Sequence, residues 1–159
     1  PTLSIAQKGH MEALEYPVPR RFLGLPFHKL EKLDQVEDVP IRVMSYNILA
    51  QSCIRRDTFS YTSQKVLKWN YRKNILLKEV LDSKSQIVCL QEVDSSAFTS
   101  FWQKNMTNAG YCCYFKSKPV DEKNKNNTYG VCIFFQKNFF ECVDNVEINF
   151  QELANGLTG

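Results

Sequence analysis

An α/β fold, with a sheet covered by helices, is the architecture this sequence predicts. Three observations point to it. Residues 86–91 hold four apolar residues in succession and residues 131–135 are apolar throughout, as in strands buried on both faces. Residues 65–81 carry apolar side chains at helical spacing. The order along the chain is strand, helix, strand, helix, then further strands, which is the order of layered α/β domains.

Residues 1–40 read as an N-terminal arm. Pro17, Pro19, Pro26 and Pro40 interrupt regular structure, leaving room for one helical turn over 27–33. Residues 41–48, Ile-Arg-Val-Met-Ser-Tyr-Asn-Ile, alternate as a strand does. Residues 49–63 are polar and mixed, a loop or short helix. In the 65–81 helix, Ile75, Leu76, Val80 and Leu81 form the inner face, with Lys73, Lys78 and Glu79 outside. Ser83 and Ser85 then loosen the chain. Asp94 or Ser95 is placed to cap the next helix. Its apolar stripe is Phe98, Phe101, Trp102 and Met106, and Gly110 is placed to end it. Residues 111–116 read as a strand and 117–128 as a polar loop rich in Lys and Asn. After the 131–135 strand, 139–143 and 146–150 alternate in part and read as two more short strands.

The 159 residues suit one domain, here 41–159 after the arm. Hydrophobic residues at 43% and charged residues at 23% match globular usage and argue against disorder. No apolar run nears the roughly 20 residues of a membrane helix, so no membrane partner is expected. The chain starts at Pro1 without a signal-like stretch, and is expected to be cut from something longer. Net charge is +3, but residues 41–84 hold nine basic and three acidic groups. That segment either attracts a polyanion or is a solvated helix face. Of six cysteines none forms a C-x-x-C pair, so no zinc is expected. Cys89 and Cys132 sit in apolar runs as small hydrophobes. This usage suits a reducing compartment, the cytoplasm with the nucleus as alternative.

Two stretches hold candidate chemistry, 44–49 and 89–94. In each a polar side chain, Asn47 or Glu92, appears where an apolar strand runs out. Ligands of open α/β sheets gather outside the carboxyl ends of strands. A carboxylate and an amide oxygen are hard ligands of the kind magnesium takes, with waters filling the remaining positions. The plainer alternative is that Glu92 caps a helix or pairs with a lysine.

Four motifs stand in one register: Ser45-Tyr46-Asn47-Ile48-Leu49-Ala50-Gln51, Trp69-Asn70-Tyr71-Arg72, Leu90-Gln91-Glu92-Val93-Asp94, and Tyr129-Gly130-Val131-Cys132-Ile133-Phe134-Phe135. Over about 41–150 the chain resembles the N-terminal part of an exonuclease–endonuclease–phosphatase domain. Within that superfamily it is most similar to the deadenylase branch of nocturnin, the Angel proteins and the fungal Ngl-type RNA exonucleases. The resemblance implies a DNase I-like four-layer αββα sandwich, of which this chain supplies about one sheet and its helices. It implies a magnesium-dependent phosphodiesterase, with manganese as the alternative ion, acting 3′ to 5′ on RNA, often poly(A). Glu92 is then the metal-binding glutamate, and Asn47 lies near the metal and the scissile phosphate. Arg72 matches the Trp-x-Tyr-Arg motif, and either contacts phosphate or holds its helix against the sheet. Trp69 and Tyr71 are expected in the core. Tyr129, beside the cleft, is a candidate substrate contact, and Arg55 and Arg56 either meet RNA phosphates or are solvated.

The branch also carries an Asp-x-Asn motif, an inner-strand histidine and a closing Asp-His pair, and none occurs here. His10 and His28 lie upstream of every motif. The chain is therefore expected to be an N-terminal portion that needs the C-terminal half of the same domain for activity. Left alone it would expose an apolar sheet face bearing Val43, Val88, Leu90, Ile133 and Phe135. The alternatives are another phosphodiesterase of the superfamily, a DNA repair endonuclease or lipid phosphatase, or a truncated non-catalytic binding chain.

Overall fold

Four alternating segments pair into one mixed sheet: β1 (Val43–Asn47), β2 (Ile87–Asp94), β3 (Tyr111–Ser117) and β4 (Tyr129–Gln136). The structure is a computed structural model and describes residues 41–55, 57–118 and 128–156. The arm and the helical turn expected in it, both histidines, Arg56, and most of the Lys/Asn loop lie outside the described residues. The spatial order is β1-β2-β4-β3. β1 and β2 run parallel, joined through helices, while β2–β4 and β4–β3 are antiparallel.

The period of two sorts the sheet into two unlike faces. On one face Met44, Val88, Phe134 and Cys113 lie in one cross-strand row, and Tyr46, Leu90, Cys132 and Phe115 in the next. Val88, Leu90 and Phe134 are fully buried against the helices. Burial there pushes the Cys132 thiol well above its ordinary range. The opposite face carries Val43, Ile87, Phe135 and Cys112, then Ser45, Cys89, Ile133 and Tyr114, then Asn47, Gln91, Val131 and Lys116. Val43 is 57%, Val131 52% and Ile133 48% exposed there, while Ile87, Cys89 and Phe135 are half-buried.

The open face therefore has a different membership from the expected one. Val43, Ile133 and Phe135 belong to it, but Val88 and Leu90 point the other way. Val88 pairs with Phe134 and Leu90 with Cys132, whereas Ile133 pairs with Cys89. A run that is apolar at every position does not reveal its own parity, and a slip of one residue exchanges the faces.

The expected 65–81 helix is two helices, α1 (Gln64–Leu67) and α2 (Trp69–Asp82). Lys68 between them is extended, with φ −67° and ψ 136°. Its carbonyl accepts from Tyr71 and Arg72 N–H, so Trp69-Asn70-Tyr71-Arg72 opens a new helix. Leu76 and Val80 bury against the sheet. Glu79, expected outside, faces inward because its carboxylate accepts from the Tyr46 hydroxyl at 2.8 Å. Trp69 packs edge-on to Phe101, centroids 5.6 Å apart, while Tyr71 is exposed rather than in the core. Ser85 does not loosen the chain: it is fully buried, and its carbonyl accepts from the Tyr111 hydroxyl at 2.7 Å.

The second helical segment runs from 95 to 108 as α3 (Ser95–Ala97), a π-helical stretch (Phe98–Trp102) and α4 (Gln103–Asn108). Phe98 stacks on Phe115 at 4.4 Å, and Trp102 and Met106 are fully buried. Asp94 occupies the cap position without a side-chain capping bond. Gly110 ends the helix in the left-handed region, φ +88°, where glycine avoids a Cβ penalty. Residues 139–143 and 146–150 are not strands. Residues 140–149 lack regular structure, with Val143 95% and Val146 75% exposed, and α5 (Phe150–Gly156) follows. Partial alternation becomes a strand only against a partner ladder, and among the described residues none pairs there. No helix among the described residues is long and apolar enough to cross a membrane.

Two substitutions test this arrangement. Phe134→Ala should cost about 3–5 kcal/mol in urea unfolding, while Ile133→Thr on the open face should change stability by about 0.5 kcal/mol or less. Equal losses would contradict the assigned faces. At Gly130 an added Cβ would lie 2.0 Å from the Lys116 carbonyl oxygen, so β3 and β4 approach too closely there for any side chain. Gly130→Ala should lower stability by about 1–3 kcal/mol, read as a shifted urea midpoint.

Candidate active site

Because β1 and β2 are parallel, their carboxyl ends emerge at the same edge of the sheet. Asn47 ends β1, and Glu92 and Asp94 lie at the end of β2. β2 does not reach that edge with regular pleating. Gln91 pairs with Val131 and Val93 with Gly130, leaving Glu92 as the extra residue of a β-bulge. Its φ is +54°, in the left-handed region that branched or bulky residues rarely enter. Strict alternation would send Glu92 after Leu90 into the helix-side core. The bulge gives that place to Val93, which is fully buried, and turns the carboxylate to the end of the sheet.

Both carboxylate oxygens are then fixed. Oε1 accepts from Asn47 Nδ2 at 2.7 Å and Oε2 from the Ala50 N–H at 3.2 Å. The Asn47 oxygen in turn accepts from the Leu49 N–H at 2.9 Å. Asp94 holds the same loop farther on, accepting from Gln51 N–H and the Ser52 hydroxyl, each at 2.7 Å. Neither a helix cap nor a lysine pair describes these contacts of Glu92. A carboxylate offers about four lone-pair sites, so two remain for other ligands.

An open cleft of about 700 Å³ lies over this pair. Asn47, Gln91 and Glu92 line it on the β1–β2 side, and Lys116, Lys118 and Tyr129 on the β3–β4 side. The Lys118 ammonium sits 5.7 Å from the centroid of the Tyr129 ring. Lys116 forms an ion pair with Glu147. Ile148 and Phe150 also line it.

Three of the residues singled out from sequence, Asn47, Glu92 and Tyr129, thus meet in one cleft. Arg72 does not line it. Its guanidinium lies behind the loop and donates to the carbonyls of Ile48 at 2.8 Å, Leu49 at 2.9 Å and Leu67 at 3.1 Å. Burial pulls Arg72 below its ordinary pKa, and Asp94 and Tyr46 push back. Arg55 is exposed. Sequence reasoning missed Lys116, Lys118 and the Asp94 clamp. The spacing of the two lysines, two apart in an extended segment, was the available signal, since it places both on one face.

Among the described residues no group of three or more His, Cys, Asp or Glu side chains is placed to hold a metal. The donor set nonetheless fits a hard cation with few protein ligands, since the bulge exposes one carboxylate with free lone pairs and such a cation keeps waters at its other positions.

Known proteins share this sequence and arrangement. Residues 44–151 match the model of the Endonuclease/Exonuclease/phosphatase family. The chain is 35% identical over 118 residues to the CCR4-Not complex 3'-5'-exoribonuclease subunit Ccr4 of Candida albicans, covering 72% of this chain and 15% of that protein. It is 32% identical over 136 residues to the RNA exonuclease NGL2 of Saccharomyces cerevisiae, covering 86% of this chain and 25% of that protein. The chain thus spans a quarter or less of the length of these two relatives. The structure of the human Nocturnin catalytic domain with bound sulfate superposes with a TM-score of 0.51 at 34% identity, covering 66% of this chain and 35% of that one. The fold is α/β, one mixed sheet with its helices, as in these DNase I-like neighbours. By the match over most of its length, the chain belongs to the Endonuclease/Exonuclease/phosphatase family.

Proposed function

We propose that this chain is the N-terminal portion of a magnesium-dependent phosphodiesterase domain that removes nucleotides from RNA in the 3′ to 5′ direction. The observation that carries the reading is the 2.7 Å bond from Asn47 Nδ2 to Glu92 Oε1, at the floor of a cleft walled by Lys116 and Lys118. The names of the relatives, an exoribonuclease subunit and an RNA exonuclease, support RNA as the substrate class.

Glu92, through the lone pairs left free by Asn47 and Ala50, would hold the cation. Bound there, magnesium would polarise the scissile phosphate and neutralise charge on the leaving oxygen. The chain's own residues have three tasks. Asn47 keeps the carboxylate pointed into the cleft. Lys116 and Lys118 attract and orient the phosphate backbone. Tyr129 presents a ring face beside them on which a base can stack. The proton of the attacking water needs a base, and the described cleft residues supply none with an ordinary pKa near neutrality. The reading therefore includes the C-terminal half of the same domain, which would bring that base and cover the open apolar face.

The test uses the whole protein containing this chain, with magnesium and labelled oligo(A). Glu92→Gln should lower the hydrolysis rate by about 10²–10³-fold while RNA retention on a filter stays near wild type. Chelation of the metal should stop hydrolysis, and magnesium or manganese should restore it. Faster cleavage of abasic DNA or a phosphoinositide would move the chain to another branch of the family. RNA retention with no hydrolysis in the unsubstituted protein would replace the enzyme with a binding role.

A further inference from the structure

The proposed reading gives Asn47 and Glu92 their tasks but leaves Arg72 unexplained. One guanidinium bridges three carbonyls on two segments. Nη1 donates to Ile48 and Leu49, the two residues that follow Asn47, and Nε donates to Leu67 at the end of α1. The break at Lys68 is what leaves the Leu67 carbonyl available, since it interrupts the helical ladder there.

Leu49, gripped by Nη1, has φ +58°. A left-handed leucine is strained and persists only where its surroundings impose it. The Ile48 carbonyl held by Nη1 shares a planar peptide with the Leu49 N–H, and that N–H donates to Asn47 Oδ1. An amide whose oxygen is occupied by a donor must present its nitrogen on the other side, and there the nitrogen meets Glu92 Oε1. The two ends of the Asn47 amide are therefore not interchangeable.

The geometry points to Arg72 as a positioning residue: by holding the Ile48 and Leu49 carbonyls of this turn it sets the orientation of the Asn47 amide against Glu92. The inference rests on the reading of Asn47 and Glu92 as the reacting centre, but the orientation itself can be measured without activity. Lysine cannot replace this grip. It keeps the charge but lacks the planar fork that serves carbonyls in fixed directions.

The experiment has a spectroscopic and a kinetic arm. In the whole protein containing this chain, Arg72→Lys should abolish the distinct, slowly exchanging side-chain amide signals of Asn47 in a nitrogen–proton spectrum, with the core amides of Val88 and Leu90 unmoved. In the whole protein, hydrolysis of oligo(A) should show kcat reduced about 10–100-fold and KM within about twofold of wild type. Leu49→Asn introduced into Arg72→Lys should recover most of both losses, because asparagine tolerates the left-handed region. Unmoved Asn47 signals in a folded Arg72→Lys chain would overturn the inference. So would a raised KM at constant kcat, the mark of a phosphate contact. If Arg72→Lys does not fold, the double variant decides: refolding with Asn47 signals restored supports positioning, and a chain that stays unfolded counts against it. Should the whole protein hydrolyse nothing, the functional reading fails while the spectroscopic arm still decides the role of Arg72.

Discussion

The site depends on one extra residue in a strand. A carboxylate cannot lie among Val88, Leu90 and Phe134, because burying an unpaired charge there would cost far more than the strand gains from regular pleating. The bulge resolves the conflict. It keeps the helix-side row apolar by seating Val93 in it, and delivers Glu92 to the rim where Asn47 and Ala50 satisfy both oxygens. The local cost is a left-handed glutamate, and the loop after Asn47 carries a left-handed leucine at position 49. Strain of this kind collects where a side chain must be aimed rather than packed.

The open face shows a second constraint. Its three cross-strand rows grade from apolar, at Val43, Ile87 and Phe135, to polar, at Asn47, Gln91 and Lys116. The polar row is the one that reaches the cleft. A face that is apolar over two rows and polar at one rim suits burial under another layer with only the rim left accessible. The exposure of Val131 and Ile133 is hard to reconcile with a surface meant to meet water.

Most of this was legible because polar residues at the ends of apolar runs are informative. Asn47 and Glu92 stand out since each ends a run in which a polar side chain needs a reason, and parallel pairing then brings them together. Gly110 was equally readable, as a glycine just past an apolar stripe. What stayed hidden has physical causes. Residues 131–135 are apolar at every position, so the face of Val88 and Leu90 had to wait for the register. The bulge at Glu92 depends on pairing with β4, which no local pattern records. The extended backbone at Lys68 interrupts a segment with no glycine or proline to mark it. Residues 139–150 have half a strand pattern and no pairing strand among the described residues, and pairing decides such cases.

Charge is where composition and topology part most clearly. The basic excess lies in residues 41–84, which suggested either a polyanion site or a solvated face. In the fold, Lys65, Lys68, Lys78 and Lys84 are exposed in or beside α1 and α2, and Lys78 pairs with Asp82. Lys73 lies over the Phe101 ring and Arg72 is bound to carbonyls. None of these lines the cleft. The cations that do, Lys116 and Lys118, come from a stretch whose acidic groups outnumber its basic ones. A phosphate in the cleft responds to the two ammonium groups that line it far more than to solvated lysines outside it, whose charge salt screens. Segment totals therefore mislead in a layered fold, because distant parts of the chain share one rim while neighbours in sequence face opposite sides.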